Sequence, residues 1–223
     1  MSWRLPDQYF TDMYAKTSDP WQLSERWYEQ RKYALTVAML PQPQYRHAFE
    51  PGCSVGVLTE QLTHRCEHVT ATDVAAAALD TARARLERAA RGDRVTLLRS
   101  SLDSDWPATE FDLIVLSEVA YYLSADALRA VLDRECQRLR TGTTIIASHW
   151  RHRVADYPLS GDQANAAIAD TDDVNQLAAY LDDDVVITAF VKGPVQSVAA
   201  RSEVPGAQPR AREAAGAESD SVD

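Results

Sequence analysis

Residues 47–62 read HAFEPGCSVGVLTEQL. Apolar residues lead into this stretch, and apolar residues at helical spacing lead out of it. Between them stand one carboxylate and two glycines, Glu50, Gly52 and Gly56. The pattern predicts a strand over 45–50, a tight turn, and a helix over 55–66. Gly52 lets the backbone reverse sharply, and Gly56 lets a ligand or a neighbouring strand come close.

Elements of alternating type are predicted on either side. Residues 24–40 form a helix with Ser24 as N-cap and Pro41 as its stop. A strand over 68–73 leads into an Ala-, Leu- and Arg-rich helix over 74–91, stopped by Gly92. Strands follow over 94–100 and 111–119, then a helix over 125–140 and a strand over 143–150. Residues 172–181 are read as a late helix, 184–191 as a strand, and 195–201 as a last strand. The last two, separated only by KGP, suit an antiparallel hairpin.

Strand–helix alternation predicts an α/β fold: a doubly wound, mostly parallel, seven-stranded Rossmann-like sheet with an antiparallel strand near the C-terminus. The apolar runs DLIVL and TTIIA fit strands covered on both faces. One domain is expected over 1–198, with a disordered tail over 199–223.

Bulk properties narrow the partners. The chain has 223 residues and a net charge of -10, with 45% hydrophobic and 25% charged residues. Without clustered Lys and Arg, nucleic acid is not an expected partner. No apolar run approaches the roughly 18 residues that span a membrane, and MSWRLPDQYF lacks a signal-peptide core. Cys53, Cys66 and Cys136 have neither metal nor disulfide spacing. The expectation is a cytoplasmic protein with reduced thiols and no metal.

In a doubly wound sheet, ligands bind where strand order reverses, beyond the carboxyl ends of the strands. The junction at 50–56 lies there. It does not match the G-x-G-x-x-G pattern that seats a pyrophosphate. Ser54 stands between the glycines, and Glu50 would repel a phosphate. A cationic ligand is attracted instead. S-adenosylmethionine (SAM), with an ammonium, a sulfonium and no phosphate, fits. Asp73, ending the next strand, is placed to accept from ribose hydroxyls; its competing reading is a helix N-cap.

The series Glu50-x-Gly52-x-Ser54-x-Gly56 with Asp73 behind it resembles motif I of the class I SAM-dependent methyltransferases. DPW (19–21), WYEQRKYAL (27–35), FEPGCSVGVLTEQL (49–62) and FDLIVLSEVAYYL (111–123) resemble the nodulation protein S (NodS)-like family, and SHWRHRVADYPLSGD (148–162) is similar to its actinobacterial branch. The resemblance covers roughly residues 18–192. It implies methyl transfer from SAM to an amine or hydroxyl of a small molecule, an amino sugar or saccharide in the nodulation case. It also adds Val74, Ser101, Leu102 and Ser117 to the cofactor set. Where many relatives carry an Asp for the adenine amine, this chain has Ser101, with Asp103 two residues on.

On the acceptor side, Glu118 and His149 end central strands, and either could bind the acceptor or take its proton. The competing readings are a loop-holding hydrogen bond for Glu118 and a satisfied, partly buried histidine for His149. His152 is a weaker candidate. Tyr122 is read as a pocket wall or hydrogen-bonding group, with ordinary packing as the alternative. The segment 18–40 is expected as a lid, with Trp27, Lys32 and Tyr33 on one loose face, and with Tyr28 and Arg31 reaching the cofactor's carboxylate. Two rival functions are a SAM-binding partner protein without catalysis and an NAD-dependent oxidoreductase.

Overall fold

A computed structural model describes residues 4–207. Two helices, α1 (Asp7–Lys16) and α2 (Trp27–Ala38), precede the sheet. Then follow β1 (Tyr45–Pro51), α3 (Val57–Leu62), β2 (Cys66–Asp73), α4 (Ala76–Arg88), β3 (Val95–Arg99) and β4 (Leu113–Ser117). The chain continues through α5 (Ala125–Cys136), β5 (Thr144–Trp150), α6 (Gly161–Ala169), β6 (Val174–Leu181), β7 (Val185–Lys192) and α7 (Val198–Arg201).

The seven strands lie in the order β3-β2-β1-β4-β5-β7-β6. The first five run parallel. β7 is antiparallel to β5, and β6 to β7. This is the doubly wound, mostly parallel sheet expected. Strand order reverses between β1 and β4, so their carboxyl ends open the crevice that such sheets use for ligands.

Alternation along the central strands builds two cores. Ile114 and Leu116 of β4, with Ile145 and Ala147 of β5, face α5 and α6. Leu113, Val115 and Ile146 face the other way, toward Leu58 and Leu62 of α3 and Tyr33 of α2. β4 is buried at all five residues, which is why it reads as one apolar run.

The structure corrects several expectations. Residues 174–181 form the edge strand β6, not a helix, paired to β7 from Val174 to Leu181. Its Ala-rich sequence favours a helix weakly, and sheet pairing overrides that preference. The hairpin therefore joins β6 to β7, and part of 195–201 is the short helix α7. The expected domain boundary at 199 falls inside α7; residues 208–223 of the expected tail lie outside the described residues. α1 and α6 were not expected. α6 starts with a capping box: the Ser160 side chain accepts from Gln163 N–H, and the Gln163 side chain accepts from the Ser160 N–H. Ser24 does not cap α2, whose N-cap is Arg26; its hydroxyl accepts from Arg85 instead. Among the described residues no helix is long and apolar enough to cross a membrane, and no group of three His, Cys, Asp or Glu is placed to hold a metal ion. The three cysteines are free thiols.

Candidate active site

A cavity of about 370 Å³ lies at the carboxyl ends of β1, β2, β4 and β5, under α1 and α2. Its floor is the loop after β1. Gly52 has φ +75°, and a Cβ there would lie 2.8 Å from Val119 Cγ2. The turn therefore needs glycine both for its dihedral and for the space. Gly56 also has φ +75°, but it faces Ala82 of α4, where a Cβ would sit 2.9 Å away. Its role is to let α3 and α4 pack together. It does not line the cavity, contrary to its expected place beside a ligand or strand.

Two carboxyl groups line this half of the cavity. Glu50 is buried and accepts from Thr59 Oγ1 at 2.6 Å. Burial, with a smaller push from Asp73, raises it to about 8 against the opposing Thr59 hydrogen bond. No Lys or Arg pairs with it among the described residues. Asp73 accepts from Ser54 N–H and Ala75 N–H, both at 2.9 Å. Burial raises its pKa, and these backbone donors oppose the rise. Each oxygen keeps a lone pair, so the cap and ligand-binding readings of Asp73 are compatible. Ser54, at φ +52°, also bonds Tyr14 Oη through its hydroxyl. That contact brings α1 down onto the loop.

Val74, Ser101, Leu102 and Ser117 line the same cavity. The Ser101 hydroxyl donates to Asp103, and Arg4 pairs with Asp103 at 3.0 Å, closing that end. Arg31 is not in the cavity. It pairs with Asp182 at 2.9 Å and donates to the Tyr180 hydroxyl on the β6–β7 hairpin. Arg26, one turn earlier, lines the cavity instead. Trp27 is 73% exposed and so leaves the face it was expected to share with Lys32 and Tyr33.

The other half surrounds Glu118, held at φ +55°. Its Oε1 accepts from Lys32 Nζ at 2.8 Å. Its Oε2 accepts from Trp150 N–H at 3.1 Å and from the Tyr121 hydroxyl. Burial would raise this carboxyl, but Lys32 and Tyr121 outweigh it and lower the pKa. Lys32, 2% exposed, also reaches Glu29 at 2.7 Å. Burial disfavours its charge, and the two carboxylates more than restore it. Glu118 lines the cavity as an ionised anchor with three hydrogen bonds to the protein.

His149 is placed differently from expectation. It is 0% exposed. Its Nε2 accepts from Ala120 N–H at 3.3 Å, and its Nδ1 lies 2.6 Å from Asn165 Oδ1. Asn165 in turn donates to Thr188 at 2.9 Å. The backbone donor makes Nε2 the acceptor and leaves the proton on Nδ1. Burial lowers its pKa, with Glu118 opposing. Both nitrogens are committed, so the expected role as acceptor base has no free atom behind it. His152 pairs with Asp184 at 2.7 Å on the surface. Tyr122 does line the cavity, with Phe10 at 4.8 Å and Tyr157 at 4.9 Å between ring centroids.

Fold, glycine loop and acidic strand ends define a Rossmann-like chain of the class I SAM-dependent methyltransferase type. The nodulation protein S (NodS) family model matches residues 10–192, and the chain belongs to that family. Nodulation protein S of Rhizobium tropici is 34% identical over 106 residues, covering 47% of this chain and 43% of that protein. That of Bradyrhizobium diazoefficiens is 35% identical, over 47% and 49%. The chain spans about half the length of these curated relatives. Among solved structures, a putative methyltransferase from Pseudomonas syringae is 35% identical, with TM-score 0.64 over 74% of this chain and 99% of that one. The N-methyltransferase NodS of Bradyrhizobium japonicum WM9, in complex with S-adenosylhomocysteine (SAH), is 21% identical with TM-score 0.73, over 83% and 98%; this likeness concerns the fold.

Proposed function

We propose that this chain is a SAM-dependent methyltransferase acting on an amine of a small molecule. The observation that carries the reading is Glu50: a buried carboxyl in a cavity that, among the described residues, accepts from Thr59 and has no basic side chain paired with it. A ligand ammonium supplies the missing charge. A nicotinamide dinucleotide would bring its pyrophosphate to a loop whose carboxyl groups, Glu50 and Asp73, offer it no positive charge, so the oxidoreductase reading is disfavoured.

In this reading Glu50 holds the ammonium of SAM and Asp73 the ribose hydroxyls, while Val74, Ser101 and Leu102 border the adenine and Arg26 meets the carboxylate. SAM, when bound, supplies an activated methyl group on a sulfonium leaving group. The protein's work is then alignment and exclusion of water. Glu118 fixes the loop after β4 and its charge faces the acceptor; Oε1 keeps a lone pair, but Lys32 holds the carboxyl's pKa low, which makes it a weak base. His149 holds that loop from behind. The acceptor amine therefore reacts in its neutral form, having lost its proton to water. An amine is favoured over a hydroxyl because aromatic faces beside an ionised carboxylate attract the cationic form that reaches the cavity. The reading as a partner protein without catalysis predicts SAM binding with no turnover. Incubation with SAM and a panel of amines, with SAH quantified, tests the proposal: SAH formation that depends on one or more amines supports it, and tight SAM binding with no SAH from any of them contradicts it.

A further inference from the structure

Glu118 stands at φ +55°, a backbone conformation that residues other than glycine rarely adopt and that recurs at functional sites. Its carboxylate is held there by the Lys32 and Tyr121 side chains and by the Trp150 N–H. These contacts leave the side chain 20% exposed and Oε1 with a lone pair. Lys32 is 2% exposed and shared with Glu29, so it neutralises Glu118 only in part and offers almost no surface to the cavity. The half-buried rings of Phe10, Tyr122, Trp150 and Tyr157 wall this half. The other cations lining the cavity are Arg4 and Arg26. Arg4 pairs with Asp7 and Asp103, and Arg26 is taken by the cofactor's carboxylate in the proposed reading. Among the described residues, no cation that lines the cavity is left for the acceptor.

We infer that Glu118 is a catalytic residue that holds the charge of the acceptor nitrogen, and that the acceptor is an amine bearing no acidic group. The inference rests on the proposed function and narrows its substrate. In the transfer, the lone pair of the neutral amine forms the N–CH3 bond while the C–S bond breaks, and the pair from that bond stays on sulfur. Positive charge thus passes from sulfur to nitrogen, and the product leaves as a methylammonium ion. A carboxylate beside the nitrogen interacts more strongly with that transition state than with the neutral amine, which raises turnover without any proton transfer to Glu118. The same carboxylate draws in the ammonium form of the acceptor, since a hydrogen bond to an ionised group is worth about tenfold or more in affinity. An acceptor that also carries a carboxylate meets Glu118 with no free cation to answer it and is repelled.

The test uses the full chain saturated with SAH, titrated calorimetrically with two matched sets: 2-phenylethylamine, 2-phenylethanol and phenylalanine, and tryptamine, tryptophol and tryptophan. In at least one set the amine should bind tenfold or more tighter than both its alcohol and its amino acid. Glu118→Gln should cut the amine's advantage over the alcohol at least fivefold and keep SAH affinity within threefold. With SAM in place of SAH, it should lower turnover of the fastest amine of the panel at least tenfold. Equal or tighter binding of the alcohol or the amino acid in both sets, no binding of either amine, or either quantity untouched by Glu118→Gln overturns the inference. If the variant does not fold, the comparison on the unaltered chain decides alone. Turnover of an amine without this discrimination overturns the inference and leaves the proposed function standing. Failure of SAH to bind, or no turnover of any amine, overturns both.

Discussion

Lys32 Nζ of α2 lies 2.8 Å from Glu118 Oε1, just past the end of β4. This one ion pair ties the helix over the cavity to the strand beneath it. Lys32 is 2% exposed and shared with Glu29, so its charge is balanced entirely by protein. Lys32→Met leaves two buried carboxylates without a counter-charge. A loss of about 3–5 kcal/mol is expected. Adding Glu118→Gln should recover part of it. Denaturant unfolding of the single and double variants measures both; full stability in Lys32→Met would show that the pair does not hold α2 down.

Asp73 has two tasks, and a conservative change separates them. Asp73→Asn keeps an oxygen for one backbone donor but removes the charge. SAH affinity should fall by about 1.5–3 kcal/mol, the scale of charge-assisted hydrogen bonds, with most of the fold's stability kept. If stability falls and SAH affinity does not, Asp73 is a helix cap only.

Glu50 gives a pH signature. Its carboxyl is raised from 4.5 to about 8 by burial, so the ligand-free folded chain binds a proton that the unfolded chain has released. That stability is fully present below pH 4.5 and is lost as pH rises through about 8. Glu50→Gln should flatten this part of the profile. Thermal unfolding of both proteins across pH 5–9 tests it; identical profiles would remove Glu50 as the cause.

His149→Ala should behave as a packing and positioning change. Ala120 N–H and Asn165 lose their partner, a cost of about 1–3 kcal/mol. Turnover should fall in step with stability, and the shape of the pH–rate profile should not change. Loss of a limb from that profile, with melting temperature unaltered, would restore His149 as a base.

Much of this arrangement is legible in the sequence. Apolar runs such as residues 113–116 mark buried parallel strands, and the Glu50–Gly52–Ser54 loop with Asp73 marks the ligand end of the sheet. What escaped had physical reasons. β6 has a helix-like composition and is a strand only because β7 pairs with it. α6 carried a readable signal, Ser160 with Gln163 three residues on. Missing it hid the surroundings of His149: Ile145 and Ala147 face α6, and alternation puts His149 on that same side. Arg31 was expected in the cavity and Arg26 was not considered; Arg31 is drawn off by Asp182, 151 residues away, a partner with no local signal. The burial of Lys32 has no local signal at all, since it depends on a carboxylate 86 residues away.

A cavity over Glu50 and Asp73 that takes SAM and not a phosphate-bearing dinucleotide must respond differently to the two ligands. A paired thermal-shift measurement with SAH and with NADH tests it most directly. Ligand at 100 times its dissociation constant adds about 2.7 kcal/mol, which raises the midpoint of a domain this size by several degrees. The midpoint should rise with SAH and stay unchanged with NADH. A rise with NADH and none with millimolar SAH would contradict it.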